Sequence, residues 1–148
     1  MNTMNTNRFS TNRSFWVSLT THNILDYVAG GLLVLCPYLF GFDGIDAARS
    51  LFLIGGLALI AYSLFTRYPY SIAKVIPLGV HMTLDVILGV LLLIGPYALG
   101  YNDVITSFQS GVHVVLGITL IALVIFTRPR TESRSGLIED VTDIRRAA

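Results

Sequence analysis

One cysteine, Cys36, stands among 148 residues. It excludes an intrachain disulfide and a zinc site built on paired thiolates. Charge is scarce as well. Asp, Glu, Lys and Arg make up 13% of the chain, where a soluble domain carries about 25%. The formal net charge is +1, and no basic stripe with interleaved aromatics is present, so a nucleic-acid partner is excluded. Catalytic motifs are lacking too. There is no G-x-S-x-G nucleophile turn, no H-E-x-x-H metal helix and no glycine-rich phosphate loop. We therefore expect no enzyme and no cofactor. His113 has no histidine at its depth to serve as a second axial ligand, so no haem site is expected either. Its expected partner is Gln109, Ser110 or a tyrosine near the end of its helix.

Hydrophobic residues fill this space, at 53% with a mean hydropathy of +0.68. Four stretches are almost free of charge, at roughly 23–42, 50–66, 79–101 and 106–127. A helix needs about 20 apolar residues to cross the ~30 Å hydrocarbon core. In hydrocarbon every backbone polar group must be bonded internally, so these stretches are predicted to be membrane-spanning helices. The second is the shortest. The opening segment, rich in Asn and Thr, has no apolar core of a signal peptide. It reads as a polar tail ending in an interfacial anchor at Trp16. Beyond Arg128 the chain is polar, with Leu137, Val141 and Ile144 at the spacing of a short surface helix.

Lysine and arginine set the orientation. Arg8, Arg13, Arg67, Lys74, Arg128, Arg130, Arg134, Arg145 and Arg146 fall on the side of both termini and the middle loop, against Arg49 alone on the other. The positive-inside rule then predicts cytoplasmic N and C termini.

The chain repeats itself. His22, Leu25, Asp26, Gly30, Leu32, Leu33, Pro37, Tyr38 and Gly41 match His81, Leu84, Asp85, Gly89, Leu91, Leu92, Pro96, Tyr97 and Gly100, all at an offset of 59. The following helices match at an offset of 61: Gly56, Leu59, Ile60, Ala61 and Phe65-Thr66-Arg67 against Gly117, Leu120, Ile121, Ala122 and Phe126-Thr127-Arg128. The predicted fold is all-α, an integral membrane four-helix bundle of two parallel helical hairpins related by an axis along the membrane normal. Its divisions are a polar cytoplasmic tail (1–20), repeat 1 (21–68), a cytoplasmic linker (69–78), repeat 2 (79–128) and a cytoplasmic C-terminal tail (129–148).

His22, Asp26, Gly30, Leu33 and Pro37 share one helix face, and so do their counterparts. Drift between halves should be slowest where they must still fit. This face is thus expected to point inward, the first helix against the third, with Gly30 and Gly89 allowing close approach and Gly56 and Gly117 serving the second and fourth helices. Pro37 and Pro96 are expected to bend or end their helices, and Gly41 and Gly100 to stop them. Tyr38, Phe40, Phe42, Tyr97 and Tyr101 are expected to form an aromatic belt at one interface, Tyr68 and Tyr70 at the other.

Two hairpins, each opening on H-x-x-L-D and closing its first helix with a Pro-aromatic and a Gly-aromatic, resemble the SPW-repeat family of small bacterial integral membrane proteins. The resemblance spans about residues 20–128, including the link YSLFTRYPYSIAKVIPLGVHMTLD. It departs in the naming motif, where Ser-Pro-Trp is replaced by Cys36-Pro37-Tyr38 and Gly95-Pro96-Tyr97. The resemblance implies a four-helix protein of the bacterial inner membrane, and it implies no activity.

His22, Asp26, His81 and Asp85 form the candidate polar cluster. Each His–Asp pair is spaced i,i+4, so its side chains are neighbours. Two readings stand. One is a structural clasp that locks the first helix to the third, in a non-enzymatic accessory protein that acts through a membrane-protein partner or a homo-oligomer in the lipid bilayer. The other is a proton- or metal-linked transporter, since intramembrane ionisable groups are functional candidates and histidine both titrates and ligates metals. Between Asp26 and Pro37 the face carries only glycine and aliphatics, which argues against a monomeric pore. An oligomeric one would be lined by Ser107, Ser110, His113 and Thr119.

Overall fold

A computed structural model describes residues 17–67 and 70–127. They form four α-helices, α1 (Leu19–Leu39), α2 (Asp46–Phe65), α3 (Leu78–Ala98) and α4 (Ser107–Phe126). Each has 20 or 21 residues, about 30 Å at 1.5 Å per residue, and all four are long and apolar enough to cross a membrane. The second helix reaches that length by starting at Asp46, four residues before its charge-free stretch. Among the described residues there are no strands, only two isolated β-bridges. The tails, with Trp16 and the C-terminal segment around Leu137, and Tyr68 at the end of repeat 1 lie outside the described residues.

The exterior is apolar and the interior is partly polar. Ile54, Leu57, Val115, Ile118 and Ile125 point outward, each more than half exposed, while His22, Asn23, Asp26, Ser63, Thr66, His81 and Asp85 are fully or almost fully buried. A surface of this kind is stable against lipid and a liability in water. The chain is an all-helical membrane protein.

α1 packs along α2, and α3 along α4; between the hairpins the main helix contact is α2 with α3. We call the end where α1 and α3 begin the base, and the opposite end the loop end. Within each hairpin, glycine sets the approach. A Cβ on Gly56 would meet Gly30 O at 2.7 Å, and a Cβ on Gly117 would meet Gly89 O at 2.7 Å. These glycines therefore seat α1 on α2 and α3 on α4, where the sequence suggested that Gly30 and Gly89 bring α1 against α3. The face is shared along its length: near the base it meets the other hairpin, and one turn further on it meets its own. Between the hairpins two apolar grooves open to the bilayer, each of about 480 Å³. One runs between α1 and α4, lined by Leu32, Phe40 and Val115; the other runs between α2 and α3, lined by Leu91, Leu99 and Ile54. These residues correspond one to one through the repeat.

At the loop end α1 and α3 stop as expected. Gly41 and Gly100 take φ of 68° and 70°, and the next residue turns back to bond the helix: Phe42 N–H to Pro37 O and Tyr101 N–H to Pro96 O, both at 2.9 Å. That closure carries Phe42 and Tyr101 into the core, at 0% and 3% exposure. They are not belt residues, whereas Tyr38 and Tyr97 are exposed. The loop-end core is then Phe42 and Phe52 from the first hairpin with Tyr101 and His113 from the second, ring centroids 4.7–5.7 Å apart. Phe42 corresponds to Tyr101 and Phe52 to His113. Where repeat 1 has two phenyl rings, repeat 2 has a hydrogen-bonded pair.

Candidate functional site

The two His–Asp pairs meet at the base. His22 and His81 lie in the first turn of α1 and α3, and Asp26 and Asp85 one turn further on. Each imidazole Nε2 lies between two carboxylates. His22 Nε2 is 3.4 Å from Asp26 Oδ1 on its own helix and 3.3 Å from Asp85 Oδ2 on the other. His81 Nε2 is 3.1 Å from Asp85 Oδ2 and 3.0 Å from Asp26 Oδ2. The result is a closed square in which each imidazole bridges both carboxylates. All four ligand atoms fall within 4.8 Å of one another, and no member exceeds 1% exposure.

A second layer fixes the rings, and it crosses between hairpins. His22 Nδ1 lies 2.6 Å from Thr127 Oγ1 at the end of α4, and His81 Nδ1 lies 2.9 Å from Thr66 Oγ1 at the end of α2. Each threonine donates its own hydroxyl to a helix carbonyl, Thr127 to Leu123 O and Thr66 to Tyr62 O, both at 2.6 Å. A hydroxyl has one proton to give. Each threonine therefore accepts from the histidine, each Nδ1 carries a proton, and each Nε2 faces the square. The backbone repeats this crossing. Val17 N–H donates to Phe126 O at 2.9 Å, and Ile76 N–H to Phe65 O at 2.8 Å. The entry to each hairpin is thus stitched to the exit of the other.

The pseudo-symmetry breaks around Tyr62. Tyr62 donates its hydroxyl to Asp85 Oδ1 at 2.6 Å. The corresponding residue in repeat 2 is Leu123, and Asp26 Oδ1 is left without a hydrogen-bond donor. Asn23 and Ser63 are also buried without side-chain partners. Their repeat-2 counterparts are the apolar Met82 and Val124.

Sequence reasoning named the square and missed Tyr62, Thr66 and Thr127. A signal for the threonines was present in the duplicated Phe-Thr-Arg that ends α2 and α4. Tyr62 has no duplicate and gave none. His113 lies apart from the square. Its Nδ1 is 2.8 Å from Gln109 O and its Nε2 is 3.0 Å from Tyr101 Oη, so it meets two of the partners expected for it. It is buried inside one chain, at 1% exposure, and cannot line a pore between chains. Cys36 is a buried free thiol.

A family model described as the SPW repeat domain matches residues 20–127, which takes in both hairpins. Comparison with curated proteins and with solved structures gives no match.

Proposed function

The chain belongs to the SPW repeat family, and we propose that it is a non-enzymatic structural or accessory protein of the bacterial cytoplasmic membrane that acts through contacts with other membrane proteins or with copies of itself. The observation that carries this reading is the closure of the square. Its buried imidazoles and carboxylates bond one another and the ends of the opposite hairpin, so all of their polar atoms but Asp26 Oδ1 serve to hold α1–α2 to α3–α4. Truncating one member of such a buried network leaves an uncompensated polar group, at a cost of several kcal/mol. Beyond the square the interior is Leu33, Leu59, Leu88, Leu92 and Leu120 up to the aromatic core, and this aliphatic layer argues against an ion path through the monomer. A base in the cytoplasmic half of the bilayer is part of this reading, and the nine lysines and arginines on the terminal side support it.

The test uses Asp26→Asn together with Asp85→Asn in the full chain. The clasp reading expects a large loss of thermal stability or of native assembly in mild detergent. A well-folded double variant that loses proton or ion flux in vesicles would replace it with the transporter reading. Native mass spectrometry after gentle extraction is expected to show a co-extracted protein or a defined homo-oligomer; a lone monomer would count against the accessory role.

A further inference from the structure

We propose that the square of His22, Asp26, His81 and Asp85 binds one divalent transition-metal ion of the zinc class. The geometry fits on three independent counts. A tetrahedral ion with ligand bonds of 2.0–2.1 Å needs ligand atoms about 3.3 Å apart. Four N–O contacts around the square measure 3.0, 3.1, 3.3 and 3.4 Å, Asp26 giving a different oxygen to each imidazole, and the four ligand atoms lie within 4.8 Å of one another, so a small inward shift of these side chains brings them to the spacing of a coordination shell.

The second count is the preparation of the histidines. A metal-bound imidazole gives its other ring N–H to an oriented acceptor, which fixes tautomer and ring plane. Here both Nδ1–H groups go to threonine hydroxyls that are themselves anchored on helix carbonyls, and both Nε2 atoms turn inward. A clasp alone requires no such matched tautomers. The third count is Asp26 Oδ1. It is fully buried, has no donor and is turned toward His22 Nε2 at 3.4 Å. An acceptor left unmatched beside three other ligand atoms is what a cation would satisfy.

Charge balance permits the exchange. When the square is neutral, two protons are shared among two Nε2 atoms and two carboxylates. A divalent ion displaces both of them, and the four groups then carry two negative charges against the ion's two positive ones. The reaction is M²⁺ plus the doubly protonated square giving the metal-loaded square plus two H⁺. The buried site stays neutral on both sides, so loading does not place a net charge in low dielectric. Two imidazoles with two carboxylates select the zinc, cobalt, iron or manganese class over calcium, which takes six to eight oxygens. The inference goes beyond the accessory reading and does not rest on it. Failure of that reading would appear as unchanged stability in the aspartate variants, whatever the metal result.

The experiment takes the full chain in mild detergent, strips it with a chelator, reloads it with Zn²⁺ or Co²⁺, desalts it and measures bound metal. The expected result is about one Zn²⁺ per chain, an intense tetrahedral Co²⁺ absorption, and affinity that falls as pH falls because protons compete. His81→Gln or Asp26→Asn is expected to weaken binding by about tenfold or more. Should these variants fail to fold, two milder ones decide the matter. Leu123→Tyr supplies Asp26 Oδ1 with the hydroxyl it lacks and is expected to weaken metal binding several-fold; Tyr62→Phe removes the hydrogen bond that orients Asp85 through Oδ1, the oxygen that meets neither imidazole, and is expected to weaken it as well. Metal retention well below one per chain in the wild type, or retention that neither substitution moves, overturns the proposal.

Discussion

The Tyr62 hydroxyl holds Asp85 Oδ1 at 2.6 Å, and position 123, its counterpart across the repeat, is leucine. This difference gives the two carboxylates of the square unlike surroundings. In metal-free protein Tyr62→Phe should cost about 2 kcal/mol, the scale of a hydrogen bond to a charged group. Leu123→Tyr should stabilise by a smaller amount, because the new ring must also be accommodated. Thermal melts in detergent after chelation check both signs.

The threonine crossings give a second prediction. Thr66→Val and Thr127→Val keep shape and remove the acceptor for a buried Nδ1–H. Each should cost about 1–3 kcal/mol, the penalty for a buried unsatisfied donor. Because the two bonds are related by the repeat, the losses should be similar in size. A helix-end role without the histidine contact would leave the melting temperature nearly unchanged.

Much of this was readable from the chain, and the rest was hidden for definite reasons. The spans followed from charge-free length, and the square followed from a single offset of 59 between two H-x-x-L-D segments. Gly41 and Gly100 were legible as helix stops because only glycine takes φ near 70° freely. Periodicity, however, fixes which residues share a face and not which neighbour that face meets. His22 and Gly30 share a face, yet one meets α3 and the other α2. Phe42 and Tyr101 read as interfacial aromatics by position alone; the backward turn after each glycine buries them. Tyr62 occurs once, so reasoning from duplication could not see it.

Glycine packing yields a prediction with a built-in control. A Cβ on Gly56 would stand 2.7 Å from a backbone oxygen and 2.9 Å from Leu33 Cβ, and one on Gly117 would stand 2.7 Å from Gly89 O. Backbone cannot swing aside as a side chain can. Gly56→Ala and Gly117→Ala should each cost about 1–3 kcal/mol by forcing the helices apart. Gly31→Ala and Gly111→Ala, with nothing within 4 Å, should be neutral or slightly stabilising. Equal melting temperatures for the two classes would refute the assigned contacts.

The loop-end core tests whether the two halves are interchangeable. His113→Phe places in repeat 2 the ring that repeat 1 has at Phe52, but it strands the Tyr101 hydroxyl, now bonded at 3.0 Å. It should cost about 1–3 kcal/mol. Adding Tyr101→Phe reproduces the Phe42–Phe52 arrangement and should recover most of that loss. A double-mutant cycle is expected to show coupling of about 1 kcal/mol or more; additive losses would mean that the hydrogen bond contributes nothing.

Alkaline titration isolates the same tyrosine. Burial pushes the Tyr101 phenol up to about 12 from the ordinary value near 10, because the phenolate would lose its hydration among Gly95, His113 and the neighbouring rings. Below pH 10 both folded and unfolded chains hold this proton, and its contribution to stability is fully present. Between about pH 10 and 12 the unfolded chain releases the proton while the folded chain keeps it. Stability must therefore fall as pH rises through that window. Tyr101→Phe has no proton there to lose. The wild type is expected to be the more stable protein near neutral pH, where its hydroxyl bonds His113, and to lose that advantage steadily above pH 10. Melting temperatures of the pair, taken as a difference at each pH so that exposed lysines and tyrosines cancel, should converge and cross. A constant difference from pH 7 to 12 would show that Tyr101 titrates as an exposed phenol.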